Sequence, residues 1–435
     1  MAEVNMGYNG SENFAKGHRW GFFPSIALGY NISEESFFEP LRKVITSMKL
    51  RGSWGLVGND QIGGERFIYM PTINLSGKGF TTGIDQNYGL SGPVYTRYEN
   101  NSITWEVGEK INLGIDLQLL NSLNIVVDIF RETRRDIFQK KGTIPTYLGT
   151  GNTDVFGNLA EMKNQGLDLS IDYNKAFSKD FYMNFKGTFT YAHNEITKYD
   201  EAPKYAFQSK VGQSANVSQG YLSNGLFLDE AEIDRYNQQM GSTLGAGDIK
   251  YLNVSNMHGY GDDIVDVDDW TWIGNPTVPE IVYGFGPSFK YKNWDFSFFF
   301  QGVAKTSLFM SGFHPFGDNS LRNVLQFVAN DRWSPTNQNV DAKYPRLTRK
   351  TSLNNTNPGN SGRTSDYWMR DGSFLKLKNM ELGYTFKRMR FYISGSNLLT
   401  FSKFDLWDPE QGGGSGLKYP TQRVFNVGFQ MTFNN

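Results

Sequence analysis

The chain has 435 residues, 43 basic against 44 acidic, and no cysteine. The charge balance excludes a nucleic-acid surface built on basic excess and an acidic solvated tail, and the missing cysteine excludes disulfide frameworks, thiolate metal sites and cysteine nucleophiles. Aromatic residues make up 15% of the chain, Gly numbers 47, and no run approaches the ~20 apolar residues of a membrane helix. A transmembrane β-barrel stays open, because its alternate residues face lipid and lumen and its average composition stays polar.

Period-two alternation dominates the chain. The first residues, Met1 to Tyr8, lack the charged region and apolar run of a signal peptide and read as the middle of a strand, so the chain is expected to begin inside a longer reading frame. Apolar residues then alternate at Pro24, Ile26, Leu28, Tyr30 and at Met48, Leu50, Trp54, Leu56. Ile111, Leu113, Ile115, Leu117 and Leu119 oppose Asn112, Gly114, Asp116 and Gln118. Segment 122–131 follows, then Leu167, Leu169, Ile171, Tyr173 and Met183, Phe185, Phe189, Tyr191. Segment 281–291 precedes Trp294, Phe296, Phe298 and Phe300, where Phe299 interrupts the polar side. In 374–386 the apolar set changes parity between Leu377 and Met380, which predicts a β-bulge at Lys378-Asn379. Segment 389–400 and the set Phe425, Val427, Phe429, Met431, Phe433, opposed by polar residues through Asn434, complete about twelve strands.

Several connections are very short: Asn121-Ser122, Ser178-Lys179-Asp180, Lys292-Asn293 and Lys387-Arg388. Long polar stretches at 59–101, 138–160, 199–279, 307–373 and 401–421 separate the pairs. Short turns on one side and long loops on the other are the asymmetry of an outer-membrane barrel. The expected fold is therefore all-β, an antiparallel transmembrane β-barrel with Ile115 toward lipid and Asp116 toward the lumen. A soluble β-rich protein that binds glycans is the rival reading, since soluble strands also alternate.

Arg19-Trp-Gly-Phe-Phe-Pro-Ser25, Leu50-Arg-Gly-Ser-Trp-Gly-Leu-Val-Gly-Asn59, Lys163-Asn-Gln-Gly-Leu-Asp-Leu169, Gly247-Asp-Ile-Lys-Tyr251 and Ile273-Gly-Asn-Pro276 occur in this order. Phe374-Leu-Lys-Leu-Lys-Asn-Met-Glu-Leu-Gly-Tyr384, Ser394-Gly-Ser-Asn-Leu-Leu-Thr-Phe401 and Asp408-Pro-Glu410 follow. Together they resemble the SusC/RagA family of TonB-linked outer-membrane transporters. The resemblance implies that residues 1–435 are the C-terminal part of a barrel of about 22 strands, with the plug domain and TonB box outside this chain. It implies oligosaccharide or peptide import in the bacterial outer membrane, coupling to the TonB system, and a SusD-like lipoprotein as partner. A plugless passive pore or surface anchor is the alternative.

The segment from His258 to Asp269 stands where many relatives resemble an EF-hand-like loop. Calcium needs oxygen ligands at positions 1, 3, 5 and 12 and Gly at position 6. Here position 1 is His258, position 3 Tyr260 and position 6 Asp263, leaving Asp262, Asp266 and Asp269 as candidate ligands beside a reading in which the loop keeps its shape without an ion. Sugar rings stack on aromatic faces, which makes the loop aromatics Tyr95, Tyr98, Trp368 and Trp407 candidate substrate contacts, with loop packing as the bland alternative. Trp20, Trp54, Trp105 and Trp294 are expected in the lipid-facing girdle. Lys49 and Arg51 are expected to pair with Asp116, Asp168 or Asp172 across the lumen. His18, His193, His258 and His314 lack H-E-x-x-H spacing, and no phosphate loop or nucleophile elbow is present, so no enzyme is expected and no cofactor beyond that calcium candidate.

Overall fold

The computed structural model describes all residues except 63, 65, 146, 148–153, 237, 240–243, 312–323, 348–363 and 434–435. His314 and Asn434 lie outside the described residues. Twelve strands form one sheet: β1 Ala2–Gly10, β2 Trp20–Asn31, β3 Ile45–Asn59, β4 Glu106–Leu119, β5 Leu123–Lys140 and β6 Phe156–Ala176, followed by β7 Phe181–Lys198, β8 Ile281–Tyr291, β9 Trp294–Ala304, β10 Phe374–Phe386, β11 Met389–Ser402 and β12 Val424–Met431. Their order in the sheet is their order in the chain. The expected short turns connect them, and Asn121, Lys292 and Lys387 hold φ of 54°, 51° and 56° there, the left-handed backbone that matches a tight hairpin to strand twist.

The chain packs as two compact units. The first comprises Met1–Tyr173, Thr190–Pro203 and Ser209–Ala215. Its register aligns apolar side chains in rows: Met48, Leu117, Ile125, Ile171; then Leu50, Ile115, Val127, Leu169; then Gly52, Leu113, Ile129, Leu167. None of these residues is buried among the described residues, and Leu113 and Ile129 are 62% and 59% exposed. The opposite face is polar. Arg51 bonds Asp116 through Nε at 2.9 Å and Asp128 through Nη2 at 3.0 Å. These partners sit one and two strands away in the same sheet rather than across the lumen, and Asp168 instead accepts from Thr190 at 2.6 Å. Gly114 makes the arrangement sterically feasible, because a Cβ there would lie 2.5 Å from Asp128 and 2.8 Å from Arg51.

Toward the loop ends, Phe14, Ile62, Ile68, Ile103 and Trp105 form a small core. Trp105 is therefore no girdle residue. Its ring packs on Phe14 and Phe23, and its Nε1 donates to the Arg19 carbonyl at 3.1 Å. Trp20, Trp54 and, in the second unit, Trp294 are exposed. The stretch 59–101 contains a hairpin, Thr72–Thr82 paired with Tyr88–Arg97.

The second unit comprises Asn174–Phe189, Lys204–Gln208 and Asn216–Asn435. Its rows are aromatic: Tyr291, Trp294, Tyr384, Phe391, Phe429, then Phe289, Phe296, Leu382, Ile393, Val427. The bulge falls at Lys378. Phe299 pairs Asn379 while Phe300 pairs Leu377, which returns Leu375 and Leu377 to the face of Met380 and Leu382. The loops of this unit build their own core from Tyr221, Leu226, Ile249, Tyr251, Val265, Leu308, Met310, Trp333, Tyr344, Trp368 and Phe404. Short strand pairs frame it: Ser218–Gly220 with Thr271–Ile273, Ser223–Leu226 with Ile249–Tyr251, and Ser307–Phe309 with Met369–Asp371.

Candidate functional site: clefts under the loop core

The polar face of β9 to β11 meets the loop core of the second unit at two clefts. One, of about 630 Å³, is lined by Gln301, Val303, Phe309, Ser311, Phe374 and the backbone of Gly412–Gly414, among others. The other, of about 560 Å³, is lined by Lys376, Thr400, Ser402, Trp407, Thr421 and Arg423, among others. Between them runs the strap from Asp408 to Gly414. Asp408 caps the 3₁₀ turn Pro409–Gln411 by accepting from the Glu410 N–H at 3.1 Å. Gly414 and Ser311 then exchange backbone bonds with the 309–311 segment, Gly414 N–H to Phe309 O and Ser311 N–H to Gly414 O, both at 2.8 Å. Gly413 lies so close that a Cβ would meet the Phe309 carbonyl at 2.8 Å.

Lysines from β10 anchor the strap. Lys376 is 1% exposed and ion-pairs Asp408 and, at 2.8 Å, Glu410. Lys378, aimed by the bulge, meets Glu410 at 2.7 and 3.0 Å. Burial works to raise the Asp408 and Glu410 carboxyls, but their hydrogen bonds and the lysine charges outweigh it and hold both below their usual range. Two cations are thus matched by two carboxylates, and the larger cleft is left with neutral hydrogen-bonding groups and apolar side chains. Two resemblance segments, Phe374–Tyr384 and Asp408–Glu410, meet at this point. Sequence reading did not single out Lys376, although a lysine on the polar side of an alternating strand was its visible signal.

A second anchor lies within the loop core. Asp248, fully buried, takes Arg346 Nε at 2.5 Å and Nη2 at 3.1 Å, with the Gly245 N–H at 3.0 Å. Burial of an ion pair demands this full set of partners.

The expected site residues fall in different places. Tyr95 and Tyr98 stack on each other at 5.4 Å and are 50% and 38% exposed, so they present ring surface. Trp368 is fully buried in the loop core. It has no free face for a ligand, a correction that follows from apolar packing between loops. Trp407 lines the smaller cleft, donates Nε1 to Gly412 O at 3.0 Å and packs edge-on against Phe404.

Asp262, Asp266 and Asp269 do not converge on a point, and among the described residues no group of three or more His, Asp or Glu is placed to hold a metal ion. Asp269, buried, accepts from the Ser255 and Asp266 N–H groups at 2.9 and 2.8 Å. Asp262 accepts from Asn253, Ser255 and the Ile264 N–H. Asp266 caps Asp268 at 2.8 Å. Burial lifts the Asp269 carboxyl above its usual range. At Asp262 burial opposes ionisation, yet the donated hydrogen bonds prevail and lower it. The three carboxylates thus accept hydrogen bonds from donors of the loop itself.

Residues 4–398 match the family model described as TonB dependent receptor-like, beta-barrel. TonB-dependent receptor P3 of Formosa agariphila is 26% identical over 98% of this chain and 43% of its own length. TonB-dependent receptor SusC of Bacteroides thetaiotaomicron is 28% identical over 98% of this chain and 42% of its own. The chain therefore spans less than half the length of these relatives. The solved structure of the RagAB peptide transporter superposes with a TM-score of 0.72 at 20% identity, covering 99% of this chain and 45% of that one, a likeness of fold. The rival reading of a soluble glycan-binding protein is overturned, because the exposed apolar rows are the surface that such barrels turn toward lipid. The chain belongs to the TonB-dependent receptor-like β-barrel family, a family of outer-membrane transporters rather than enzymes.

Proposed function

We propose that this chain is the barrel part of a SusC-like importer that takes up oligosaccharides or peptides, coupled to TonB through a plug carried elsewhere in the full-length protein and lidded by a SusD-like lipoprotein. The observation that carries the reading is the pair of clefts on the polar face beneath a folded loop core, with Lys376 and Lys378 already matched by Asp408 and Glu410 on the strap between them. Such a site suits an oligomer that binds by hydrogen bonds and apolar contact. Tyr95 and Tyr98 are proposed as a stacking surface and Trp407 as a cleft contact. The 258–269 loop is proposed to keep its shape without an ion.

The test deletes the full-length gene in its own host and measures growth on defined oligosaccharides and on peptide mixtures. The reading expects loss of growth on one class, restored by the intact gene and not by a version lacking the TonB box. Restoration by the version without the TonB box would support the passive pore instead. Affinity capture of the full-length receptor is expected to bring down a lipoprotein in near-equal amount.

A further inference from the structure

The apolar rows of β3 to β6 end abruptly toward the loops. The next row across these strands is Trp54, Ile111, Arg131, Gln165, and the one above it is Leu56, Glu109, Thr133, Lys163. Arg135 stands one row higher, beside Val107. All lie on the face of Ile115, Val127 and Ile129, because each is an even number of residues from them along its strand or is paired to one that is.

The height of this boundary follows from the register. Arg131 is eight residues beyond Leu123, the first residue of β5. At ~3.3 Å per residue and a tilt of ~40°, that places it about 20 Å above the turn, near the upper edge of an apolar band ~25 Å tall. Trp54 occupies the same row, as expected of the aromatic girdle at the hydrocarbon edge. The second unit shows that the charge is local. Gly302, eight residues beyond Trp294, belongs to a row of Tyr283, Gly302, Leu375 and Phe401, which carries no charge.

The cations at this edge are under-matched. Glu109 already accepts from Trp54 Nε1 at 2.8 Å and lies 3.8 Å from Arg135. Glu161 is 3.6 Å from Lys198. Arg131 is exposed, and within the described residues neither it nor Lys163 has a hydrogen-bond or ion-pair partner. Arg131, Arg135 and Lys163 against Glu109 and Glu195, which stands opposite Lys163 on the next strand, leave one net positive charge on a surface that continues directly into the lipid-facing rows, and Arg131 is its unmatched cation. A guanidinium at the hydrocarbon edge needs an anion with oxygen pairs at the same depth, which is where lipid phosphates lie.

We infer that the outward face of β4 to β6 is a binding site for the phosphate groups of an anionic lipid in the leaflet on the loop side, with Arg131 and Lys163 as its principal contacts. The aliphatic rows below receive the acyl chains, and the basic rows above receive the headgroup. Retention of such a lipid would fix the depth of this sector in the membrane.

The test uses the full-length receptor in neutral detergent and native mass spectrometry. The probe is lipid A, a bisphosphorylated glycolipid, with its dephosphorylated form as control. Saturable binding of the phosphorylated form is expected, weakened about thirty-fold in R131Q/K163Q, since each basic residue near an anionic surface contributes about 1 kcal/mol. R131K/K163R should retain binding, and heat-modifiable mobility on gels verifies that both variants are folded. Equal binding of the dephosphorylated lipid, unchanged binding by R131Q/K163Q, or displacement of the lipid by an equimolar amount of inorganic phosphate would each overturn the site.

Discussion

Replacing Ile115 by Arg probes the sorting of faces most directly. Ile115 lies in the middle of the five apolar positions of β4, with Leu117 and Leu119 toward the turn and Leu113 and Ile111 toward the loops. Two rows on either side amount to ~13 Å along the strand, or about 10 Å in height at a ~40° tilt, so the side chain sits near the midplane of a ~25 Å apolar band. It is 41% exposed on the apolar face of the sheet, so the arginine would enter lipid rather than a protein interior. The expected cost is about 2–4 kcal/mol. The neighbouring change Asp116→Asn is the internal control. Asp116 and Arg51 are 34% and 31% exposed at the side chain, and Arg51 keeps Asp128 at 3.0 Å, so the loss should be about 0–1 kcal/mol. Urea titration of the full-length receptor refolded into liposomes would measure both. Equal costs, or a larger cost at Asp116, would refute the assignment of faces.

Lys376→Met leaves Asp408 and Glu410 with unmatched charge beside a buried site, and Glu410 keeps only Lys378. A loss of about 3 kcal/mol is expected, toward the low end for a broken buried pair because the carboxylates are partly exposed, read as faster protease cleavage within 403–423. Acid should do the same. The lowered carboxyls of Asp408 and Glu410 mean that the strap's stabilisation is complete above their ordinary values of 3.8 and 4.5 and is lost only as pH falls through the depressed folded ones, so pepsin cleavage of the strap should stay slow at pH 5 and accelerate only below the ordinary carboxylate range. Arg346→Leu strands the buried Asp248 carboxylate and should cost about 3–5 kcal/mol, with Asp248→Asn in the same chain restoring much of the resistance to proteolysis. Asp269→Ala removes bonds to one buried and one half-buried N–H group and should cost about 2–3 kcal/mol, while calcium and chelators leave the melting temperature of the parent protein unchanged; a calcium-dependent rise would instead establish an ion in the 258–269 loop.

Strands were legible because the sheet obeys a strict local code. Parity alone placed Ile115 and Asp116 on opposite faces, and a change of parity alone placed the bulge at Lys378. Turns were legible because a connection of two or three residues leaves few alternatives. The loops were not legible, for a physical reason. Tyr221, Tyr251, Leu226, Trp333 and Trp368 share no period, since they come from short strand pairs and irregular segments far apart in sequence. Trp105 and Trp368 could not be told from girdle or cleft residues, because a tryptophan's identity does not say which of its faces is covered. The Asp248–Arg346 and Lys376–Glu410 pairs join residues 98 and 34 positions apart, and no alternation predicts such a partner. The two clefts inherit that limit, since each is bounded by strand residues that parity could place and by loop residues that it could not.

Burial in this protein runs opposite to the habit of soluble domains. Val427 and Phe425 in β12 are 88% and 73% exposed, whereas Trp368, Tyr221, Tyr251 and Leu226 in the loops are at or near zero. Both follow from one principle acting in two solvents. Within the bilayer, apolar side chains gain nothing by mutual cover, and the constraint falls on the backbone, whose N–H and C=O groups must pair strand to strand. Beyond the bilayer the chain meets water, and the hydrophobic effect requires the loops to bury their own apolar residues. The loops of the second unit therefore fold as a packed body with an ion-paired interior, not as slack connections, and a body of that kind can hold clefts of fixed shape over that unit's polar face. Leu226→Ala should accordingly cost about 2–5 kcal/mol through a cavity, and Val427→Ala little. That contrast separates a folded cap from ordinary surface loops, in which neither change would matter.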